Sequence, residues 1–519
     1  MLIAVSFTAF LLNLDAVPFI GDEGIRTLVA FEMKTSGNFI VPTQFGEPYF
    51  NKPPLYNWCI MLTSTLFGGY GEWPSRITTL VFLGLFAWSV YHFTRLKTDR
   101  MTAITMAFML LTSGRILFWD SMLALIDICF SWIVYVNFMI LFYYGKQGRW
   151  QRMFLFSYLL FSVAFLLKGF PALVFQGISI LVALYFHRAL KSKFFSAAHW
   201  IGIGIGVLPL VVYYLLYASQ VSMDQVFSIL FEQSIQRTPV RFTIWETVAH
   251  FFAFPFEQIY HFLPWSLFVF VGFHPKVRGL IKADAFVRFN FWMLLANLPV
   301  YWVSVEVYPR YLLMFVPLFN IITYLGLQQL NAASQRFWNV SRWVFLGITF
   351  CGLFSVVFMR FVPLVQDLPF LNAVWMGGTI AMGLGLIGLL YDKDRIFLWF
   401  VFVVLVTRSV FNMVVLPIRA AEHDKTPPKM ECRRIGEKYA NETLYLYKQS
   451  TLNEVTRAYA SIYTDQILYR VNEVTDTIAL YLVQRDLYPE VRGEQVDSLI
   501  GVGGRVFTLM HSPVDVSTE

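Results

Sequence analysis

Two adjacent carboxylates, Asp22 and Glu23, follow the first apolar segment of the chain. Such a pair is either a solvated helix end or a site where one carboxylate serves as a general base or metal ligand toward a bound substrate. Position alone leaves both interpretations open. The same polar loop carries Arg26, Tyr49 and Lys52, so cationic and aromatic side chains accompany the acids.

Two further aspartates, Asp120 and Asp127, lie at the start of a later apolar segment, and their seven-residue spacing places them near one face of a helix. An acid inside an apolar segment needs a partner. It either forms a buried salt bridge, for which Arg115, Arg76 and Lys168 are candidates, or it acts on the substrate directly.

Basic residues occur in the same polar segments as these acids: Arg26, Lys52, Arg76, Lys168, Arg237, Arg241 and Arg310. Lys168 and Arg310 border apolar segments, and Tyr311 follows Arg310. Cations fixed at such borders suit a phosphate at the level of lipid headgroups. Anchoring of ordinary phospholipid explains one or two such cations more readily than the whole set.

Other motifs carry weaker signals. Gly202, Gly204 and Gly206 lie inside an apolar segment without a preceding strand, which favours close helix packing over a nucleotide-binding loop. His250 and His261 are eleven residues apart, which is not the spacing of a helical zinc pair. The sequence has no Walker motif, so ATP-driven transport is not supported. No cofactor is predicted, and a divalent metal is left open.

Composition defines the class of protein. Of the 519 residues, 57% are hydrophobic and 14% are charged, whereas about a quarter are charged in an average soluble domain. The long apolar blocks are typical of a polytopic membrane protein. The net charge of +7 comes mostly from Lys and Arg between those blocks, so nucleic-acid binding is not predicted. Four Cys cannot form a disulfide framework.

Apolar blocks of bilayer-spanning length predict about thirteen transmembrane helices. They lie near 1–17, 77–93, 101–118, 121–144, 153–167, 170–186, 201–217, 263–273, 289–305, 311–327, 343–358, 373–391 and 396–417. The first is expected to be retained, because it lacks a basic flank and a small-residue cleavage site. The loop 18–76 is long and partly apolar, so juxtamembrane helices are expected in it.

Charge assigns the sides of the membrane. Six short connections carry 17 Lys or Arg against four Asp and fall on one side if every span crosses once, so this side is predicted to be cytoplasmic. The loop 18–76 then faces the extracytoplasmic side of a cell inner membrane. The last 101 residues hold 15 of the 33 acidic residues.

Those last residues alternate apolar and polar positions, which predicts a small extracytoplasmic α/β domain over 419–519 after an all-α transmembrane domain over 1–418. Strands are expected near 443–447, 467–471, 478–483 and 505–509, with a helix near 433–439. The glycines at 501–504 predict a hairpin turn.

The first loop resembles that of the integral-membrane C-type glycosyltransferases, in the bacterial branch that includes the lipid A aminoarabinose transferase and the dolichyl-phosphate-mannose-protein mannosyltransferase relatives. The residues that carry this resemblance are Asp22-Glu23, Glu32-Met33, Gly37, Val41-Pro42, Gly46, the run from Tyr49 to Leu55, Trp58, Phe67-Gly68, Glu72 and Arg76. Weaker agreement comes from Asp120, from Lys168-Gly169 with Pro171, from Leu263-Pro264-Trp265, and from Arg310-Tyr311 with Pro317.

The resemblance implies an enzyme that moves a sugar from a polyprenyl-phosphate carrier to an acceptor outside the membrane. It implies that Asp22 is the catalytic carboxylate, that Glu23 supports it or binds a metal, and that Lys52 binds the donor phosphate. Relatives often have an acidic residue before that lysine, where Asn51 stands here, which argues against a metal site at this position.

The sequence therefore predicts three groups of site residues. The catalytic candidates are Asp22, Glu23 and Asp120. The candidates for binding the donor phosphate are Lys52, Arg26, Lys168, Arg241, Arg310 and Tyr311. The candidates for the substrate pocket are Tyr49, Arg76 and Asp127. The acceptor is left open among a glycan, lipid A and a protein. A transporter or flippase for a lipid-linked sugar, and a non-catalytic scaffold, are the alternatives.

Overall fold

The computed structural model describes residues 1–224, 243–333, 336–448, 450, 452–474 and 478–512. Its α-helices, up to the end of the membrane part, are α1 (Leu2–Leu11), α2 (Asp22–Ser36), α3 (Leu55–Leu66), α4 (Glu72–Arg95), α5 (Arg100–Leu111), α6 (Gly114–Phe118), α7 (Ile126–Lys146), α8 (Trp150–Lys168), α9 (Phe170–Phe186), α10 (Leu190–Lys193), α11 (Ala197–Ala218), α12 (Ile244–His261), α13 (Pro275–Ala283), α14 (Ala285–Asn297), α15 (Pro299–Trp302), α16 (Val316–Ala333), α17 (Arg336–Phe358), α18 (Leu371–Tyr391) and α19 (Ile396–Glu422). Short 3-10 helices span Asp120–Met122, Trp265–Phe273, Pro309–Phe315, Met359–Phe361, Pro363–Val365 and Lys393–Arg395.

Eight helices in the described part of the chain are long and apolar enough to cross a membrane. They are Glu72–Arg95, Ile126–Lys146, Trp150–Lys168, Ala197–Ala218, Pro309–Asn331, Arg336–Phe361, Leu371–Tyr391 and Lys393–Glu422. A ninth span results if Arg100–Leu111 and Gly114–Met122, which meet at 50°, count as one. The chain is therefore a multi-pass membrane protein, but the predicted number of thirteen spans is not confirmed.

The four remaining predicted spans differ from the others for physical reasons. Leu2–Leu11 and Phe170–Phe186 are apolar but shorter than a full crossing. The segment predicted at 263–273 forms the 3-10 helix Trp265–Phe273. The segment predicted at 289–305 is interrupted by Pro299, which cannot continue the hydrogen-bond ladder of the helix before it.

Glycines bring α8 and α11 close together. A Cβ atom at Gly202 would lie 2.8 Å from the Cβ of Phe154, and one at Gly206 would overlap Tyr158, whereas Gly204 has open space beside it. The close helix packing predicted for these glycines is thus confirmed for Gly202 and Gly206, since small residues let helix backbones approach.

The first helix is held from the side by α19. The Nε of Arg408 donates to the carbonyl of Ala9 at 3.1 Å, and the side-chain amide of Asn412 donates to the same carbonyl at 2.9 Å. The last carbonyls of a helix have no partner within it. Buried Arg408 and Asn412 therefore stabilise the end of α1 inside the apolar region.

The loop 18–76 contains two helices, α2 and α3, as expected for this segment. Nearly all of α2 is buried, and it ends at Gly37, whose φ of 71° suits glycine. Between the helices, strands β1 (Thr43–Gln44) and β2 (Glu47–Pro48) form a hairpin. The carboxylate of Glu32 accepts hydrogen bonds from the N–H groups of Phe45 (2.7 Å) and Gly46 (3.1 Å) and so fixes this hairpin to α2.

The C-terminal part contains a five-stranded sheet and two helices. These elements are α20 (Thr426–Lys438), α21 (Glu454–Thr464), β3 (Leu444–Tyr447), β4 (Arg470–Val471), β5 (Leu480–Val483), β6 (Glu494–Ile500) and β7 (Val506–His511), with a 3-10 helix over Val502–Gly504. The strand order is β4-β3-β5-β7-β6. β3 is parallel to β4 and β5, and β7 is antiparallel to β5 and β6.

The glycines of 501–504 join β6 to β7, so the predicted hairpin turn is confirmed. Strand β6 was not expected, because its residues are mostly exposed at the sheet edge and give no apolar alternation. A strand buried on one face gives the period-two pattern that sequence reveals, and an exposed edge strand does not.

The sheet and helices of the C-terminal part dock on the loop 18–76. Lys429 Nζ lies 2.6 Å from Glu72 Oε1, and the hydroxyl of Tyr459 also donates to Glu72. The backbone N–H of Phe19 donates to the Tyr459 hydroxyl at 2.8 Å, and the two rings stack at 5.2 Å between centroids. The loop is thus enclosed between the membrane helices and the C-terminal part.

Candidate active site

Asp22 begins α2 and is the most exposed acid of the predicted site, with 55% of its side chain accessible. Arg310 Nη2 lies 3.8 Å from Asp22 Oδ2, which is an ion-pair distance but longer than a hydrogen bond. Arg310 belongs to the 3-10 helix that opens a membrane span. Asp22 can therefore meet solvent on one side while it feels a cation on the other.

Arg310 continues inward to a second carboxylate. Its Nε lies 3.2 Å from Asp127 Oδ2, and Lys168 Nζ lies 2.6 Å from Asp127 Oδ1. The ring of Tyr311 lies 3.8 Å from Lys168 Nζ. Four charges thus alternate in sign from exposed Asp22 through Arg310 and Asp127 to buried Lys168, and we call this set the charge array.

The charge array is assembled from the ends of three membrane spans and the start of α2. Asp127 is the second residue of α7, Lys168 is the last residue of α8, and Arg310 is the second residue of the span 309–331. Because α7 and α8 are antiparallel neighbours, the start of one and the end of the other meet on the same side of the bundle.

Asp120 is paired separately. Its Oδ2 lies 3.2 Å from Arg115 Nε, while its other oxygen, also buried, has no hydrogen-bond partner within the described residues. Both aspartates therefore have the salt-bridge partners considered from the sequence, Arg115 for Asp120 and Lys168 for Asp127.

Glu23 and Arg76 form a buried pair with all of their contacts inside the protein. Arg76 donates through Nε and Nη2 to Glu23, both at 3.0 Å, and its remaining N–H groups donate to the carbonyls of Leu14, Val17 and Pro18. Glu23 also accepts the N–H groups of residues 20 and 124. Geometry favours a structural role for this pair over the substrate-contacting and metal-binding roles expected from the sequence.

Arg26 and Tyr49 connect the start of α2 to the predicted phosphate lysine. Arg26 Nη2 donates to the Tyr49 hydroxyl at 3.1 Å, and its Nη1 is buried without a hydrogen-bond partner among the described residues. Tyr49 and Lys52 line a small recess together with Tyr214 and Tyr217 of α11. Lys52 therefore shares a recess with Tyr49, and Tyr49 is in turn hydrogen-bonded to Arg26 near the start of α2.

Arg241, a further predicted phosphate ligand, lies outside the described residues. Glu454, in contrast, was missed by sequence reasoning. It begins α21, and its carbonyl would lie 3.4 Å from a Cβ at Gly24, beside Asp22. Burial raises the pKa of Glu454 above its usual range, and the negative charge of Asp22 raises it further. No sequence motif marks a residue so distant along the chain.

Two cavities border these residues. An apolar one of about 290 Å³ is lined by Leu312 and Phe315, from the same short helix as Arg310, and by Ser113, Phe254 and Trp265 among others. A more polar cavity of about 480 Å³ lies between Trp119, Arg76, Arg419 and His423.

A metal site does not emerge from the described residues. Among them, no group of three or more His, Cys, Asp and Glu side chains is arranged to hold a metal ion. Glu23 is already saturated by hydrogen bonds, and Asn51 offers no carboxylate beside Lys52. The donor set among the described residues therefore does not fit a divalent metal.

Part of the chain matches a known protein family. Residues 51–217 match the family described as dolichyl-phosphate-mannose-protein mannosyltransferase. An uncharacterized protein of Aquifex aeolicus (strain VF5) is 22% identical over 348 residues, which are 66% of this chain and 67% of that protein.

The fold resembles that of ArnT from Cupriavidus metallidurans. Against ArnT bound to undecaprenyl phosphate, the TM-score is 0.70 at 17% identity, covering 98% of this chain and 97% of that one. Against the apo state it is 0.67 at 17% identity, covering 98% and 96%. The resemblance to C-type glycosyltransferases found in the sequence is thereby confirmed, by family match over about a third of the chain and by fold over nearly all of it.

Proposed function

We propose that this protein is a glycosyltransferase of the cell inner membrane that moves a sugar from a polyprenyl-phosphate carrier to an acceptor on the extracytoplasmic face. One observation carries the proposal: an exposed carboxylate, Asp22, ends a line of charges that runs through Arg310 and Asp127 to buried Lys168. An accessible base next to cations at the ends of membrane spans is what transfer from a lipid-linked sugar requires.

In the proposed reaction, Asp22 takes the proton of an acceptor hydroxyl as its oxygen attacks the anomeric carbon. The bond from that oxygen to the anomeric carbon forms while the bond from the anomeric carbon to the phosphate oxygen breaks. The electron pair leaves with the polyprenyl phosphate, and the configuration inverts. General-base assistance of this kind typically contributes about 10² to 10⁴-fold in rate.

The departing phosphate gains negative charge, and Arg310 and Lys168 stabilise it. These cations are largely shielded from water, where electrostatic interactions are stronger than at an open surface. Arg26 is the next residue proposed to bind the donor phosphate, because its buried Nη1 has no hydrogen-bond partner among the described residues. Lys52, Tyr311 and Arg241 complete the proposed set.

The carrier lipid approaches within the bilayer, so the protein needs no nucleotide-binding fold. The apolar cavity beside the helix that bears Arg310 supports this route, since an isoprenoid chain is apolar throughout. The similarity of the fold to ArnT bound to undecaprenyl phosphate supports the same class of carrier. The sugar stays unspecified.

The acceptor is a lipid, a glycan or a protein. We propose that residues 419–519 form an extracytoplasmic domain that covers the loop 18–76 and helps to position this acceptor, while 1–418 form the transmembrane transferase domain. Support comes from the contacts of Lys429 and Tyr459 with Glu72 and from the approach of Glu454 to the start of α2.

The purified protein incubated with a polyprenyl-phosphate sugar and a membrane extract as acceptor source tests the function. We expect stoichiometric release of polyprenyl phosphate with transfer of the sugar to extract material. Translocation of the lipid-linked sugar across a vesicle membrane without cleavage would instead identify a flippase and contradict the proposal.

A further inference from the structure

Asp127 contacts two of the cations that the proposed reaction assigns to the donor phosphate, Lys168 and Arg310. Its Oδ1 contacts Lys168 at 2.6 Å, and its Oδ2 contacts Arg310 at 3.2 Å. Asp127 and Lys168 are buried, with 9% and 5% of their side chains exposed. Each carboxylate oxygen is thus occupied by a different cation, which is the arrangement that two phosphate oxygens would adopt.

Arg310 joins this inner pair to the base. The same guanidinium that contacts Asp127 lies 3.8 Å from Asp22. A cation beside Asp22 attracts its carboxylate and competes with the hydroxyl that the carboxylate must deprotonate. The charge array therefore keeps Asp22 engaged while Arg310 remains in its present position.

Entry of a phosphate changes this balance. The two positive and two negative charges of the charge array cancel, so an added anion meets no net positive charge among these four residues. In a site shielded from water, an added negative charge beside two carboxylates is strongly unfavourable. Tight binding requires the phosphate to replace a carboxylate as the partner of the cations.

We propose that Asp127 is a resident counter-ion that exchanges with the donor phosphate. In this exchange Arg310 moves from Asp127 to the phosphate and its contact with Asp22 opens, so the cation leaves the base only when the donor is present. Asp127 is then a positioning residue that acts through Arg310. The inference rests on the proposed function and adds the order of its steps: the donor binds before the acceptor is deprotonated.

Binding of undecaprenyl phosphate to the detergent-solubilised full chain tests the exchange. Asp127→Asn removes the competing charge and keeps the shape, so we expect undecaprenyl phosphate to bind at least about tenfold more tightly than to the wild type. A residue needed only for structure or for direct phosphate contact would give weaker binding when changed. Without ligand, Asp127→Asn should also melt at a lower temperature than the wild type. Undecaprenyl phosphate should raise the melting temperature of the variant by more than it raises that of the wild type.

Glu47→Gln is the matched control. Glu47 is an exposed acid of the same outer loop, paired with Arg470 at 3.9 Å and with 65% of its side chain accessible. Its loss should leave the affinity for undecaprenyl phosphate unchanged. Equal or weaker binding by Asp127→Asn would overturn the exchange.

A second measurement needs no variant. In a structure of the wild type with undecaprenyl phosphate, Arg310 should contact the phosphate and lie beyond ion-pair distance from Asp127. Retention of the 3.2 Å contact with phosphate bound would overturn the inference. If the wild type did not bind undecaprenyl phosphate at all, the proposed function would be contradicted as well. If it bound with Arg310 still on Asp127, only the exchange would be contradicted.

Discussion

Arg76 donates every one of its N–H groups to Glu23 or to main-chain carbonyls, and only 2% of its side chain is exposed. The pair ties the end of the first helical segment to α4 and to the start of α2. Because Glu23 follows Asp22 directly, the Arg76–Glu23 pair fixes the position of Asp22.

Arg76→Lys should therefore destabilise the protein strongly. Lysine lacks the planar fork and leaves buried carbonyls and Glu23 without donors. We expect the free energy of unfolding to fall by about 3 kcal/mol or more, measured as a lower melting temperature in detergent. Arg433→Lys is the control, because Arg433 and Glu437 form an exposed pair. Equal melting temperatures for both variants would contradict a structural role.

The members of the charge array were candidates from the sequence alone, and Lys168 was one of three candidate partners for the aspartates, but Arg310 was not among those partners. Asp127 and Lys168 are 41 residues apart in the chain, and residue type and spacing do not show which span ends meet. The buried acids required partners, so the existence of salt bridges was predictable. The shared guanidinium between Asp127 and Asp22 depends on tertiary structure and was not.

At the scale of the helix, the packing of α8 against α11 depends on glycine. Gly206→Ala would place a methyl group against the Cβ and backbone of Tyr158. Overpacking of this kind typically costs about 1–3 kcal/mol, so we expect a lower melting temperature. Gly204→Ala is the matched control, since Gly204 has nothing within 4 Å. A stability loss at Gly204 equal to that at Gly206 would contradict the packing explanation.

In the C-terminal part, Asp497 links β6 to α20. It accepts hydrogen bonds from Arg434 at 2.8 Å and from Lys438 at 2.8 Å, and the Arg434 guanidinium is the main cause that holds the pKa of Asp497 well below its usual range. When the pKa of an aspartate is lower in the folded state, its ionised form stabilises the fold at pH values above the pKa in the unfolded chain, about 3.9. This stabilisation is lost as the pH falls toward the folded-state pKa.

Asp497→Asn should accordingly lower the free energy of unfolding at neutral pH by about 1 kcal/mol, as for a partly exposed pair. The change is measured as a lower melting temperature. The difference from wild type should shrink as the pH drops below about 4. Asp465→Asn serves as control, because Asp465 is exposed and its left-handed conformation suits asparagine. A pH-independent difference at Asp497 would show that charge is not the cause.

The prediction of helices succeeded for long apolar segments and failed for segments whose helices are short, interrupted or of the 3-10 type. The long spans were found because apolar blocks of that length have few alternatives. Trp265–Phe273 was predicted as a span from hydrophobicity, yet it folds as a 3-10 helix. Hydropathy reports burial in an apolar medium, not the hydrogen-bond pattern of the backbone.

At the scale of the whole molecule, the C-terminal part and the membrane part meet at the loop 18–76. Tyr459 is central to this contact, because its hydroxyl accepts from the N–H of Phe19 and donates to buried Glu72. This association was not predictable from the sequence, since no motif in the C-terminal part identifies the surface on which it packs.

Tyr459→Phe should loosen the docking. It leaves a buried backbone N–H and a buried carboxylate short of a partner, which costs about 1–3 kcal/mol. We expect faster proteolytic cleavage near the connection at 423–426, measured on the detergent-solubilised chain. Tyr463→Phe, on the same helix and stacked on Tyr459 at 5.9 Å, is the control. Unchanged cleavage in Tyr459→Phe would contradict this role.

The enzyme proposal places the base at the outer end of the charge array and the phosphate-binding cations within it. The most direct measurement is sugar transfer from a polyprenyl-phosphate donor by Asp22→Asn, with Asp15→Asn, an exposed acid shortly before it, as the matched control. We expect the rate of Asp22→Asn to fall by about 10² to 10⁴-fold, with undecaprenyl phosphate bound no more weakly than by wild type. Full transfer activity in Asp22→Asn would contradict the account.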